Sequence, residues 1–462
     1  MDYARTVLKL PVPKVLGWSC TSTDSDDDVG AEYILMEKIE GVQVHQRYKH
    51  LRSEGFELIT QVTAMERAFV SRRFSQIGSL YYKEDVEPAL QARPLYAEGA
   101  EEVDENDDAS VRFRIGPYVD WEVWRGTRAN LEADRGPCMC FILFFFRSRF
   151  HYNCELTSGP DTLSFIRAII NFQQKWLKQF AHSRSINELM SRSTLDTSPD
   201  FHIRLLDQLL AVIPHILPPD VISFPVLWHT DLHAANIMIK PEGNNPDMVG
   251  VLDWQGMSVA PLFMQSVFAK FVRYTGDDRI VIPPGIKVPS LPADFEQYPE
   301  DQKADIKQQR RMAILHKRYE VSIIYNSPYQ YAVHEYPHME HLLPPLYSAS
   351  RTWYEGAHHL CQYLIEIQNN WDEIAPGIPF PCRLDHKQDM EQHQREYARL
   401  KAYDDVVSRL TKELDLEGDG WVSNERYEEV RGKCDELQRH WDVNDNGGLF
   451  PFQNGAPSWF LS

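Results

Sequence analysis

The chain has 462 residues, 43% apolar and 25% charged, with 29 Pro and 23 Gly. That composition excludes collagen-like, coiled-coil and wholly disordered classes, and the length suits two or three domains or one large two-lobed fold. Acids outnumber bases by 67 to 48, a formal charge of −19, and no concentrated basic stripe occurs, which argues against nucleic-acid binding.

Seven Cys, unpaired in spacing apart from Cys138 and Cys140, imply neither a disulfide framework nor a Cys-rich zinc module, and point to a reducing compartment. The longest apolar run, Cys138–Phe146, has nine residues. A helical membrane span needs about 20, so none is predicted. The first residues run straight into Leu10-Pro-Val-Pro13 with no apolar signal core. The expectation is a soluble, intracellular protein.

In chain order, Val12–Trp18 and Ala31–Glu37 read as strand segments flanking a polar, acidic loop, Ser22–Gly30. Leu58, Val62, Met65 and Phe69 recur at three-to-four spacing and predict an amphipathic helix. Glu98–Asp108 holds seven acids and no Lys or Arg, a solvated loop. Helices are predicted over 161–180 and 201–216, then a β-rich centre over 224–252. Further helices are predicted over 302–325, 345–368, 387–414 and 424–441. Few strands, then helices around one hairpin, then helices again make an α+β chain.

Trp228–Ile239 reads Trp-His-Thr-Asp-Leu-His-Ala-Ala-Asn-Ile-Met-Ile, and Val249–Trp254 follows as Val-Gly-Val-Leu-Asp-Trp. Between them Pro241–Asp247 is a dense turn signal, so Ile237–Ile239 and Met248–Leu252 are predicted as the arms of a β-hairpin. The midpoint of 236 and 253 falls inside that turn. An antiparallel pairing then sets Asn236 beside Asp253, with Asp231 in the loop just before. Three oxygen-bearing side chains at one end of a hairpin suit Mg²⁺, which prefers oxygen ligands shared with phosphates. They also leave one carboxylate to accept a hydroxyl proton, the division of labour of phosphoryl transfer.

His229-x-Asp231-x-x-x-x-Asn236, followed by an apolar strand ending in Asp253, resembles the catalytic and metal loops of the protein-kinase-like superfamily. The wording is similar to its aminoglycoside phosphotransferase (choline kinase-like) branch, without the His-Arg-Asp and Asp-Phe-Gly of protein kinases. Residues 112–117, Pro225–His229 and the aromatic C-terminal stretch resemble fungal phosphotransferases grouped with the altered-inheritance-of-mitochondria proteins. The resemblance implies a two-lobed fold with an incomplete small β lobe over 1–40. A large, mainly helical lobe over 41–384 would carry the hairpin at 224–254, and a helical extension would cover 385–462. It implies ATP and Mg²⁺ as cofactors and a small-molecule hydroxyl as acceptor. Asp231 is then the catalytic base, Asn236 and Asp253 are the Mg²⁺ ligands, and His229 braces the loop. Tyr33–Gly41 is similar to the family's strand and hinge, so the backbone of Glu37 and Ile39 would meet adenine. Location would be cytoplasmic or, by resemblance alone, mitochondrial.

The family's glycine-rich hairpin and phosphate-binding Lys have no counterpart before residue 40, where only Gly17 and Gly30 occur. Two expectations compete: a truncated sequence, which the intact base and metal residues favour, or a pseudokinase. Either way weak ATP binding and poor transfer are expected. Residues 138–154 interrupt the family pattern after Arg135-Gly-Pro137. They read as a mistakenly translated intron first, a buried core strand next, or an interaction patch.

Other motifs carry less. His334-Glu-Tyr-Pro-His338, with His341 beyond, spells a zinc-hydrolase motif, but Pro337 disfavours a helix through both His, leaving solvated loop histidines. Asp415–Arg426 imitates a calcium loop but ends in Arg where a bidentate Glu is needed. His358 and His359 are adjacent on a predicted helix and point to different faces.

Overall fold

Apolar side chains at three-to-four spacing need one common face to bury them, and the long periodic stretches become helices with their ends displaced by a few residues. In the computed structural model, residues 1–19, 31–47, 55–100, 108–133, 135–136, 162–184, 198–242, 246–269, 271–276, 278–382, 387–416, 422 and 426–452 are described. The helices used below are α1 (Asp2–Thr6), α2 (Gly55–Val70), α3 (Thr162–Phe180), α4 (Pro199–Ile216) and α5 (Glu300–Asn326). They continue with α6 (Pro328–His334), α7 (Met339–Ala349), α8 (His358–Asn369), α9 (Lys387–Glu413) and α10 (Tyr427–Arg439). The strands are β1 (Val15–Ser19), β2 (Tyr33–Met36), β3 (Val42–Gln43), β4 (Ser79–Tyr82) and β5 (Phe113–Gly116). Four more follow: β6 (Pro225–Leu227), β7 (Ile237–Ile239), β8 (Met248–Val251) and β9 (Val259–Pro261). The α+β class expected from the sequence is what forms.

One predicted helix is broken. The stretch 345–368 contains the end of α7, a short turn Thr352–Glu355, then α8. Gly356 takes φ +99°, outside the helical region and open to glycine because it has no Cβ, and it separates the pieces.

The strands form small antiparallel sheets, ordered β1-β2, β3-β7-β8, β4-β5 and β6-β9. The last two join through Gly78 and Val259, whose backbones exchange hydrogen bonds of 2.9 and 2.8 Å. β6 falls inside the predicted β-rich centre over 224–252, whereas β4, β5 and β9 lie outside every predicted strand: they are short, and β5 is buried throughout, leaving no alternation to detect.

The chain divides into two compact units. The first takes residues 1–120, 135–162 and 218–337, and it holds every strand named above. Its core joins α2 to α5: Leu58, Ile59, Val62, Met65 and Phe69 of α2 are at most 2% exposed. Between these helices lies the buried carboxyl of Glu66. The Tyr319 hydroxyl (2.8 and 2.9 Å) and Gln330 Nε2 (2.9 Å) donate to it, so α2, α5 and α6 share one polar knot. Burial pushes the Glu66 pKa up to about 7.

The second unit takes residues 121–134, 163–217 and 338–462. Leu205, Leu206, Leu209, Val212 and Ile213 of α4 and Leu360 and Leu364 of α8 form part of its core. Arg128 is fully buried there, its guanidinium lying 4.3 Å from the Trp176 ring centre and 4.8 Å from that of Tyr354. Gln173 Oε1 accepts from it at 2.7 Å. A guanidinium suits such a place because its flat faces stack while its edges bond.

Candidate functional site

The β7–β8 hairpin forms over the predicted arms, pairing Ile237 with Val251 and Met238 with Gly250. One step beyond the ladder, the Leu252 N–H donates to the Asn236 carbonyl at 2.8 Å. That bond sets Asn236 next to the turn containing Asp253. Asn236 is nearly buried, and its Nδ2 donates to the Asp231 carbonyl at 3.0 Å. Backbone and side chain of one Asn thus tie both aspartate-bearing loops to the same hairpin end.

The loop is braced from below. His229 is 2% exposed and its Nε2 donates to the Leu252 carbonyl at 2.9 Å. Desolvation holds its pKa below the ordinary imidazole value, so the ring is neutral at pH 7 and acts as a hydrogen-bonding strut. Trp254 packs edge-on against His229 at 5.0 Å and donates through Nε1 to the Val251 carbonyl. Phe69 of α2 contacts both Trp228 and Trp254. From β3, Gln43 Nε2 donates to the Ala235 carbonyl (2.9 Å), and just after the strand the His45 N–H donates to the Ala234 carbonyl (3.1 Å). Nothing in the spacing of Gln43 and His45 marks a contact so distant in sequence.

Asp231 is partly exposed and its carboxylate lies 3.5 Å from His233 Nε2. His233 also accepts the Ala235 N–H through Nδ1 at 3.1 Å, which orients the ring. The sequence showed His233 within the motif but gave no reason to single it out. Asp253 is exposed at φ +57°, and its carboxylate makes no hydrogen bond or ion pair among the described residues. Asn236 Oδ1 likewise accepts no hydrogen bond among them. An unpartnered carboxylate and an unpartnered amide oxygen, held at one hairpin end, are the donor set a hard divalent cation takes, so the residues fit Mg²⁺.

Glu37 and Ile39 lie in the segment joining β2 to β3. The Glu37 N–H is used by the Lys14 carbonyl (2.8 Å), and its carboxylate accepts from Arg5 (3.0 Å) and the Lys14 N–H (3.1 Å). Those contacts hold its pKa below the usual carboxylate range. The Glu37 carbonyl and the Ile39 N–H have no partner among the described residues, leaving one acceptor and one donor two residues apart. Ile39 lies against Gly250, where any side chain would collide with it, and a Cβ on Gly41 would come within 2.9 Å of the Ile239 carbonyl. Two glycines thus let the joining segment rest directly on the hairpin.

The other motifs resolve differently. His334 ends α6, and His338 at φ +63° breaks the chain direction before α7, so the two His do not share a helix. His334 is no solvated loop residue: it packs on Phe268, and burial, with His316 and Arg273 nearby, lowers its pKa to about 4. His338, Glu340 and His341 instead bring donor atoms within 4.8 Å of one another. In the calcium-like loop, Arg426 donates to Asp415 Oδ2 at 2.8 Å, so a guanidinium occupies the first ligand. His358 is buried, 3.6 Å from Glu396 and stacked 5.7 Å from His393. The acidic run 24–28, most of the run 98–108, the turn residues 243–245 and the stretch 138–154 lie outside the described residues.

No helix among the described residues is long and apolar enough to cross a membrane. Residues 170–266 match the model of the phosphotransferase enzyme family, a span containing the whole hairpin. The chain is 28% identical to a subtelomeric hrmA-associated cluster protein of Aspergillus fumigatus, over 93% of this chain and 81% of that protein. It is 22% identical to altered inheritance of mitochondria protein 9, mitochondrial, of Saccharomyces cerevisiae, over 93% of this chain and 66% of the relative. The same-named protein of Kluyveromyces lactis matches at 22% over 69% of this chain and 48% of its own length. No solved structure matches.

Proposed function

We propose, from a chain whose residues 170–266 match the model of the phosphotransferase enzyme family, that the protein transfers the γ-phosphoryl group of ATP to a hydroxyl of a small molecule. The observation that carries this reading is the tie of Asp231, Asn236 and Asp253 to one hairpin end through Asn236. Asp231 accepts the proton of the attacking hydroxyl. A new oxygen–phosphorus bond forms at the γ-phosphorus as its bond to the β-phosphate bridging oxygen breaks, and ADP leaves. Asn236 and Asp253 would hold Mg²⁺, which when bound neutralises phosphate charge. The Glu37 carbonyl and Ile39 N–H receive the adenine edge. His229, neutral and buried, keeps the loop in register and takes no proton. The acceptor belongs to a chemical class, an alcohol, that the hairpin alone does not narrow.

Asp231→Asn tests the reading. With a panel of small alcohols and Mg-ATP, turnover should fall by about 10²–10⁴-fold, as expected for loss of a general base, while nucleotide binding persists. Unchanged turnover would sink the assignment.

A second reading, a binding protein without turnover, has one observation behind it. The β1–β2 ribbon exposes Leu16, Trp18, Ile34 and Leu35 at 53–64%, the profile of a surface that meets another. A cellular phenotype that depends on the protein and survives Asp231→Asn would favour it. The mitochondrial label in the names of the yeast relatives supports a mitochondrial location, which imaging of the tagged protein tests.

A further inference from the structure

A cavity of about 180 Å³ opens in the first unit where the end of α2 meets the junction of α5 and α6. Its walls include Arg67, Ser71, Arg73, Asn326, Ser327 and Tyr329, and no carboxylate lines it. In a chain of net charge −19, two arginines with no carboxylate partner among the described residues stand out. Neither guanidinium donates a hydrogen bond to a described residue.

Arg73 is fixed in an unusual way. Its guanidinium carbon lies 4.3 Å from the Phe224 ring centre and 4.6 Å from that of Tyr329, and those two rings meet edge to face at 5.4 Å. Aromatic contact immobilises the flat group and leaves its in-plane N–H donors unsatisfied. Ser327 is 3% exposed, and its Oγ is buried with no hydrogen-bond partner. An orphaned buried hydroxyl costs free energy that a ligand would recover. Asn326 adds a carboxamide at the rim. The walls are held in place, because Glu66, next to Arg67, is bonded to Tyr319 of α5 and to Gln330, next to Tyr329.

Guanidinium, hydroxyl and amide donors converging without an acid select an oxyanion, and arginine is the side chain that matches phosphate by paired hydrogen bonds. The space holds roughly six water volumes of about 30 Å³, enough for a phosphate group with a small organic remainder. We propose that this cavity binds a phosphate group, either inorganic phosphate or the phosphate of a small monoester. None of Glu37, Ile39, Asp231, Asn236 and Asp253 lines it, so the site is separate from the hairpin end.

Isothermal titration of the full chain with inorganic phosphate and with phosphoethanolamine, against sodium chloride at matched ionic strength, tests this. Saturable binding of one equivalent is expected, weakened at least about tenfold by Arg67→Gln and by Ser327→Ala. Arg67 is exposed, so its replacement leaves the fold intact, and thermal melting of each variant checks this. Tighter binding of phosphoethanolamine would identify a monoester as the ligand, and equal binding would identify inorganic phosphate. No saturation up to about 10 mM, or binding that Arg67→Gln leaves unchanged, would overturn the proposal.

Discussion

At φ +57°, Asp253 occupies the left-handed region, which costs an ordinary L residue roughly 1–2 kcal/mol and which Asp and Asn tolerate best. The backbone is held there by hydrogen bonds on both sides of it. Leu252 donates to Asn236 and accepts from His229, and Trp254 donates to the Val251 carbonyl. Conformation and charge at this position can therefore be separated by two substitutions. Asp253→Asn keeps the left-handed preference and should melt like the parent protein. Asp253→Ala should lose about 1 kcal/mol in urea unfolding. On the proposed reading both should lose Mg-dependent turnover, because each removes the negative charge that Asp253 would bring to the cation. Equal stability of the two variants would show that the backbone there is not strained.

Among the elements, the hairpin and the segment resting on it were unequally legible. The turn residues, the midpoint between 236 and 253 and the apolar arms placed the hairpin correctly, because all three are local signals. The contact of the 37–41 segment with β7 and β8 was not readable, since it depends on two glycines whose need shows only in three dimensions. Gly41→Ala should test that contact. A Cβ there meets a backbone carbonyl that cannot swing away, so a loss of about 1–3 kcal/mol is expected. If that segment receives adenine as proposed, KM for ATP should rise more than kcat falls. β4, β5 and β9 escaped for a different reason: all three are short, and β5 and β9 are buried on both faces. The role of His334 was misread because its neighbours looked polar, while the helix it ends turns it onto Phe268.

For the molecule as a whole, buried titratable groups set opposite limits on stability. His316, His334, His358 and His393 are each depressed to about 4, mainly by desolvation. The unfolded chain protonates them near pH 6.5 while the folded one refuses the proton, so their contribution is full above 6.5 and is lost as pH falls toward 4. Glu66 runs the other way. Raised to about 7, it keeps its proton in the fold after the unfolded chain has lost it, so its contribution is full below about 4.5 and is lost as pH rises through 7. Thermal melting should therefore rise from about pH 4 toward 7, with Glu66 opposing part of that rise above 4.5. Glu66→Gln, which keeps groups able to bond Tyr319 and Gln330, should steepen the rise between about 4.5 and 7; a slope that the variant leaves unchanged would remove Glu66 as a contributor.

The interleaving of the two units has a consequence for synthesis. The chain passes from one to the other after residues 120, 134, 162, 217 and 337, so neither exists as a contiguous piece of polypeptide. α2 emerges from the ribosome well before α5, the helix that covers its Leu58–Phe69 face. At about 5–20 residues per second, that face waits roughly 10–50 s for its partner. During translation the nascent chain must be shielded by chaperones or shelter in a non-native collapse, and no single cut of the gene would yield either half alone.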